Sequence, residues 1–162
     1  KLLDRQDVPV EVSLSQAKIR FHVEGFTLTS KLIDGSFPDY VRVIPTANKK
    51  LLKVENASLM KAVDRVSTLS SEKSRAVKLN LAAGRLIIST TNPESGSATE
   101  EVSADYEGDP LEIGFNARYL LDIAGQIEGP RAVFKFADVS SPALICDEGD
   151  AGALYVLMPL RV

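Results

Sequence analysis

Between residues 46 and 162 one order of elements occurs twice. That repetition restricts the folds open to this chain more than any other feature. An alternating apolar stretch at 51–54 leads into a helical pattern, and three further alternating stretches follow at 76–81, 85–91 and 101–106. The order then returns: a stretch at 111–115, a second helical pattern, and stretches at 132–137, 143–146 and 153–158. Even the entry to the three-strand part repeats, Arg75-Ala76-Val77 against Arg131-Ala132-Val133. A fixed period of about 55–60 residues marks an internal duplication. Each half carries one apolar helix stripe and one apolar sheet face, and neither half can bury both alone. The expected fold is therefore α+β, built from duplicated β-α-β-β-β half-domains. Two helices pack side by side on one side of antiparallel sheets, with an approximate two-fold relating 46–106 to 111–158.

The helix boundaries follow from local chemistry. Asn56 is expected to cap the first helix, because its side chain accepts a bond from the first free N–H groups. That helix runs to about Leu69, with Leu59, Val63, Val66 and Leu69 as its apolar stripe. Lys61, Asp64, Arg65 and Thr68 fall on the opposite face. Asn116 is expected to cap the second helix, with Tyr119, Leu120, Ile123 and Ile127 on one face and Gly129-Pro130 as its stop.

Residues 1–45 are strand-rich. Val8, Val10 and Val12 alternate with polar neighbours, Ile19, Phe21 and Val23 follow, and Phe26 opens a third strand ending near Lys31. Asp34–Pro45, with Gly35, Pro38 and Pro45, reads as an extended connector. Two readings stand at this point. Lys1-Leu2-Leu3 and the three strands are the tail of another such half, or the whole chain is one α+β domain with a strand-rich start. The first reading leaves strand edges and apolar surface uncovered.

Composition removes several function classes. The chain has 162 residues, 44% hydrophobic and 25% charged, which excludes a largely disordered protein. No apolar run reaches the roughly 20 residues of a membrane span, and no basic leader precedes an apolar core. The chain begins at Lys1 without a Met, as a fragment or processed product would. One cysteine, Cys146, leaves no internal disulfide framework and points to a reducing, cytoplasmic setting. The net charge is −3, so contact with nucleic acid has to come from a local basic face.

The candidate catalytic groups all have ordinary structural readings. His22 sits on the polar side of a strand, Cys146 has no base beside it, and the serines at 70, 71, 74, 140 and 141 lie in turns. Asp147-Glu148-Gly149-Asp150 lacks the ligand spacing of a calcium loop and reads as a hairpin turn. Glu100-Glu101 reads as a solvated strand edge, and no glycine-rich phosphate loop occurs. No catalytic residue, metal ligand or cofactor is expected. Two features remain. Lys61, Arg65 and Arg118 form a small helix-borne basic set suited to phosphates rather than bases. The ending Val156-Leu157-Met158-Pro159-Leu160-Arg161-Val162 is apolar where free ends are usually polar, and Met suits an adaptable groove for a partner peptide.

The stretches FTLTSKLIDGSFPDYVRVIP (26–45), SSEKSRAVKLNL (70–81), EIGFNARYLLDIAGQI (112–127) and YVLMPLRV (155–162) closely resemble the bacterial DNA polymerase III beta subunit family, the sliding clamps. The resemblance covers the whole chain and implies the DNA-clamp fold. Residues 1–45 would be the end of the second clamp domain plus its connector, and residues 46–162 the third domain. It implies a non-catalytic processivity factor, a homodimeric ring around duplex DNA that tethers the replicative polymerase, the clamp loader and repair proteins. A β-rich interaction domain with no DNA role is the alternative class. The DNA-facing positions would be Lys61, Arg65 and Arg118. The peptide pocket, for motifs of the Gln-x-x-Leu-Phe kind, would draw on Pro38, Arg42 and Val43, on Val139 and Ser141, and on Val156, Met158, Pro159, Leu160 and Arg161. Asn116 and Tyr119 would lie on the nearby helix. The ring-closing face would map around Thr68, Leu69 and Ser74. The family often carries bulky aliphatic and aromatic residues there, so Thr68 and Ser74 imply a more polar contact.

Overall fold

The structure is a computed structural model of the chain and describes residues 8–71, 74–150 and 152–161. Lys1-Leu2-Leu3, which figured in the reading of the first strands, and Val162 of the apolar ending lie outside the described residues. The chain divides into two compact units at Asp39/Tyr40. The sequence placed its boundary at 45/46.

The first unit is a three-stranded antiparallel meander of β1 (Glu11–Leu14), β2 (Lys18–Val23) and β3 (Phe26–Lys31). The first strand starts later than the Val8–Val12 alternation suggests. Cross-strand pairing puts His22 opposite Thr27, and the His22 ring Nδ1 is 2.9 Å from the Thr27 hydroxyl, a surface strand contact. Val12, Leu14, Phe26 and Leu28 are all more than half exposed, while Val23 is buried.

The second unit holds everything else. Its elements are β4 (Lys50–Glu55), α1 (Asn56–Ser67), β5 (Ala76–Ala82), β6 (Arg85–Asn92), β7 (Gly96–Glu107), β8 (Leu111–Asn116), α2 (Ala117–Ala124), β9 (Arg131–Phe136), β10 (Ala143–Asp147) and β11 (Tyr155–Leu157). The strands run in the order β11-β10-β9-β4-β7-β6-β5-β8, every pair antiparallel. The expected strand–helix–three-strand duplication is visible in this order. Each half keeps its last three strands together and gives its first strand to the other half. Thus β4 lies along β9, and β8 lies along β5. The two helices pack against each other on one side of the sheets. Leu59, Val63 and Val66 of α1 are buried with Leu52, Leu79, Ile88, Phe115, Phe134, Phe136 and Ile145 of the strands.

Several expectations need correction. Glu55, not Asn56, is the N-cap of α1, and its carboxylate accepts from Ser58 N at 3.1 Å. Asn56 is already inside the helix and 7% exposed. Its Nδ2 donates to Ala124 O at 2.9 Å and Ile127 O at 3.3 Å, so it closes the carbonyl end of α2 instead. The main chain shows the same shift of one residue. Asn56 N donates to Pro130 O, and in the other half it is Ala117 N that donates to Arg75 O. Glu55 therefore corresponds to Asn116, which does cap α2 as expected, accepting from Arg118 N and Tyr119 N.

Next, α2 ends at Ala124 with Gly125 as its C-cap, well before Gly129-Pro130. In so short a helix the buried residues are Ala117, Leu120 and Ala124, and Tyr119 is 56% exposed rather than part of the core stripe. Similarly α1 ends at Ser67, and Leu69 is only half-buried. Finally, Glu100 is not simply solvated, because it pairs with Arg65 on α1.

Gly108 turns the chain between β7 and β8 with φ 145°, a backbone that L side chains rarely adopt. A Cβ there would lie 2.9 Å from Lys50 Cγ and 3.1 Å from the Tyr106 hydroxyl oxygen, which itself bonds Asp109 O. Gly108→Ala is expected to lower the unfolding free energy by about 1–3 kcal/mol, read from urea denaturation. An unchanged midpoint would show that this turn relaxes without cost.

Candidate peptide groove and nucleic-acid face

The approximate two-fold predicts two equivalent seams, β4 with β7 and β8 with β11. Among the described residues only the first is sealed. There, Leu51, Leu52, Lys53 and Val54 pair with Glu107, Tyr106, Asp105 and Ala104. Among the described residues the second seam is held by one bridge, Leu160 N to Gly114 O at 2.8 Å. The reason is local. β7 runs for 12 residues, long enough to pair with β6 and then β4, while β11 has only 3. Pro159 follows β11 at the point where a ladder would continue, and proline has no N–H to donate. The tail thus leaves the sheet, meets β8 at Leu160, and opens a hollow on each side.

One hollow, of about 680 Å³, lies between the tail and α2. Asn116, Tyr119 and Ile123 form its helix wall, and Val156, Met158, Pro159 and Leu160 its tail wall. Met158 is 61% exposed and Leu160 36%, so both present apolar surface to solvent. Ser74 also lines this hollow, and Asn116 Nδ2 donates to its carbonyl at 3.2 Å. The other hollow, of about 580 Å³, lies between the tail and the edge of β8, with Val139, Ser140 and Arg161 at its rim.

The site residues expected from the sequence are therefore largely brought together. Asn116, Tyr119, Val156, Met158, Pro159 and Leu160 share the first hollow, and Val139 and Arg161 join Pro159 and Leu160 at the second. Ser141 sits beside the second hollow, its hydroxyl donating to Asp138 at 2.8 Å. Arg42 ends the Tyr40–Arg42 turn and Val43 follows it, its N–H bonded to Tyr40 O at 3.0 Å; neither lines these two hollows. Pro38 belongs to the first unit. Ser74, expected beside Thr68 and Leu69, lies on the groove, because Arg75 at φ 46° turns the chain against the start of α2. Thr68 caps the end of α1, its hydroxyl bonded to Arg65 O.

Sequence reasoning missed Ser74 and Ile123 as groove residues, and it missed Asp138. That carboxylate accepts from both the N–H and the hydroxyl of Ser140 and of Ser141, at 2.7 to 2.9 Å. These four donors favour the charged form and hold Asp138 down to about 2. The Asp-x-Ser-Ser spacing is a turn signal that could have revealed it.

The basic set is less uniform than the sequence suggests. Lys61, Arg65 and Arg118 are all exposed. Arg65, however, holds Glu100 in a two-pronged pair, Nε to Oε1 at 2.5 Å and Nη2 to Oε2 at 2.6 Å. This hydrogen bonding pulls the Glu100 carboxyl below its ordinary value and raises the Arg65 guanidinium. Arg118 shares a hollow of about 370 Å³ with Arg75, between the end of α1 and the start of α2, where Asp64 and Asp122 offset their charge. Among the described residues no group of three or more His, Cys, Asp or Glu is placed to hold a metal ion.

Comparison with known proteins agrees with this architecture. The family described as "DNA polymerase III beta subunit, C-terminal domain" matches residues 41–161, and "DNA polymerase III beta subunit, central domain" matches residues 1–39. The beta sliding clamp of Caulobacter vibrioides is 54% identical over the whole chain, and that of Escherichia coli K12 is 38% identical. The chain covers 44% of the length of each of these relatives. Among solved structures, the Bartonella birtlesii sliding clamp bound to griselimycin has a TM-score of 0.87 at 52% identity, covering 94% of this chain and 41% of that one. A Caulobacter crescentus clamp, with polyethylene glycol bound to its proposed beta-motif tethering region, has a TM-score of 0.87 at 57% identity, with the same coverage of 94% and 41%. With three quarters of its length matching the C-terminal domain and the remainder following the central one, the chain belongs to the DNA polymerase III beta subunit family.

Proposed function

We propose that this chain serves as part of a sliding clamp, a non-catalytic processivity factor in DNA replication inside the cell. Residues 1–45 form the end of the middle clamp domain with its connector, and residues 46–162 form the last domain. The full protein closes as a homodimeric ring around duplex DNA and tethers the replicative polymerase, the clamp loader and repair proteins. The observation that carries this reading is the open seam. In a domain built from two equivalent halves, one seam is sealed by a ladder and the other is left as an apolar groove beside Met158 and Tyr119. Such a groove accepts apolar anchors of a short linear motif, with Arg161 suited to carbonyls or a carboxylate at the rim. Tethering of this kind raises the local concentration of the polymerase rather than changing its chemistry. Thr68, Leu69 and Ser74 contribute to ring closure, Ser74 also lining the groove.

Contact with DNA is electrostatic and blind to sequence, through Lys61, Arg118 and, where its pairing with Glu100 yields, Arg65. So small a basic set on an acidic chain cannot hold DNA by attraction alone at physiological salt. Retention is topological. With the full-length clamp and its loader, the protein is expected to stay on nicked circular DNA and to leave once the circle is cut. Equal retention on circular and linear DNA at 150 mM salt, near the physiological range, would refute the ring.

A further inference from the structure

We infer that Asp138 is a positioning residue for the groove: its carboxylate holds the turn that presents Val139 and Ser140 to an incoming peptide. This inference rests on the groove reading above. Val139 is 57% exposed, so core packing does not fix it. Yet it lines the hollow on the β8 side of the tail, which shares Pro159 and Leu160 with the groove on the α2 side, so a peptide that runs on across the tail meets it. Two side chains fix the turn instead. Asn48 staples its base, Nδ2 donating to Lys135 O at 2.8 Å before the turn and to Pro142 O at 2.9 Å after it. Asp138 fills its interior, with Oδ1 accepting from Ser140 N at 2.8 Å and Ser141 N at 2.7 Å. The two serine hydroxyls add bonds at 2.9 Å to Oδ1 and 2.8 Å to Oδ2. The depressed carboxyl, at about 2, means that this anchor stays charged through the physiological range. A wall held in place before binding spares the peptide the entropic cost of ordering it.

The test uses the full-length clamp and a fluorescein-labelled peptide of the Gln-x-x-Leu-Phe pattern, followed by anisotropy and by thermal unfolding. Asp138→Ala is expected to weaken binding about fivefold or more through faster dissociation, with the melting temperature little changed, since the turn is on the surface. Asp138→Asn restores binding to within about twofold, because its Oδ1 still accepts both backbone N–H groups and its amide meets the Ser141 hydroxyl. Met158→Ala is the control for the groove itself. If Met158→Ala weakens the peptide and Asp138→Ala does not, the positioning role is refuted and the groove stands. Equal losses in Asp138→Ala and Asp138→Asn also refute it. If neither Met158→Ala nor Asp138→Ala changes affinity, the groove reading fails and the positioning role fails with it.

Discussion

Phe136→Ala is expected to lower the unfolding free energy by about 3–5 kcal/mol, the range for removing a buried aromatic ring from a packed core. Phe136 is fully buried at the end of β9. Its ring stacks on Phe134 at a centroid distance of 6.0 Å and tilts against Phe115 at 6.4 Å. Phe115 lies on β8, which pairs with β5 of the first half, while β9 pairs with β4. The ring thus packs where strands exchanged between the two halves meet. A void here removes transfer energy and also contacts that no single half can rebuild. The melting temperature should fall by roughly 10 °C or more. A loss under about 1 kcal/mol would mean that the two halves do not share one core.

Asn56→Asp is expected to cost about 3 kcal/mol or more at neutral pH. The amide donates to two carbonyls, Ala124 O at the end of α2 and Ile127 O just beyond it, in a site 7% exposed. The introduced carboxylate cannot donate, and it faces two carbonyl oxygens of its own sign. Its folded-state pKa is therefore raised above the unfolded value, so the penalty is present above the folded pKa and shrinks as pH falls through it. Denaturation series at neutral and mildly acidic pH should show the variant gaining on the parent as pH drops. Asn56→Ala should cost less, since it also removes a side-chain oxygen, Oδ1, that is buried without a partner. A pH-independent gap between parent and Asn56→Asp would contradict the donor role.

The elements that sequence revealed best are those whose causes are local. Asn116 caps α2 because an amide oxygen reaches the next two free N–H groups, and the spacing alone predicts it. The alternation in β5 and β6 follows from one face being buried, and it is plain in Val77, Leu79 and Leu81. Asn56 misled because its type suits a cap, while its bonds go to residues 68 and 71 positions away. Tyr119 matches a helical stripe, but an eight-residue helix buries a narrower one, which leaves Tyr119 exposed while Ile123 still packs partly buried against the core. Most groove residues were legible through the unusual apolar tail and the family resemblance. That Ser74 also reaches the groove is not legible in the sequence, because the turn at Arg75 is what brings it to α2. The open seam itself was invisible, since it is a difference between two equivalent pairings that only the folded sheet makes comparable.

The central claim is that this open seam is where partner peptides bind. The most direct measurement is a crystal structure of the full-length clamp with a peptide of the Gln-x-x-Leu-Phe pattern. The account predicts the apolar anchors between Tyr119 and Ile123 of α2 and Met158 and Leu160 of the tail, with the chain passing Val139 and Arg161. A peptide bound with these side chains still open to solvent, or seated on the exposed faces of Lys61 and Arg118, would contradict it.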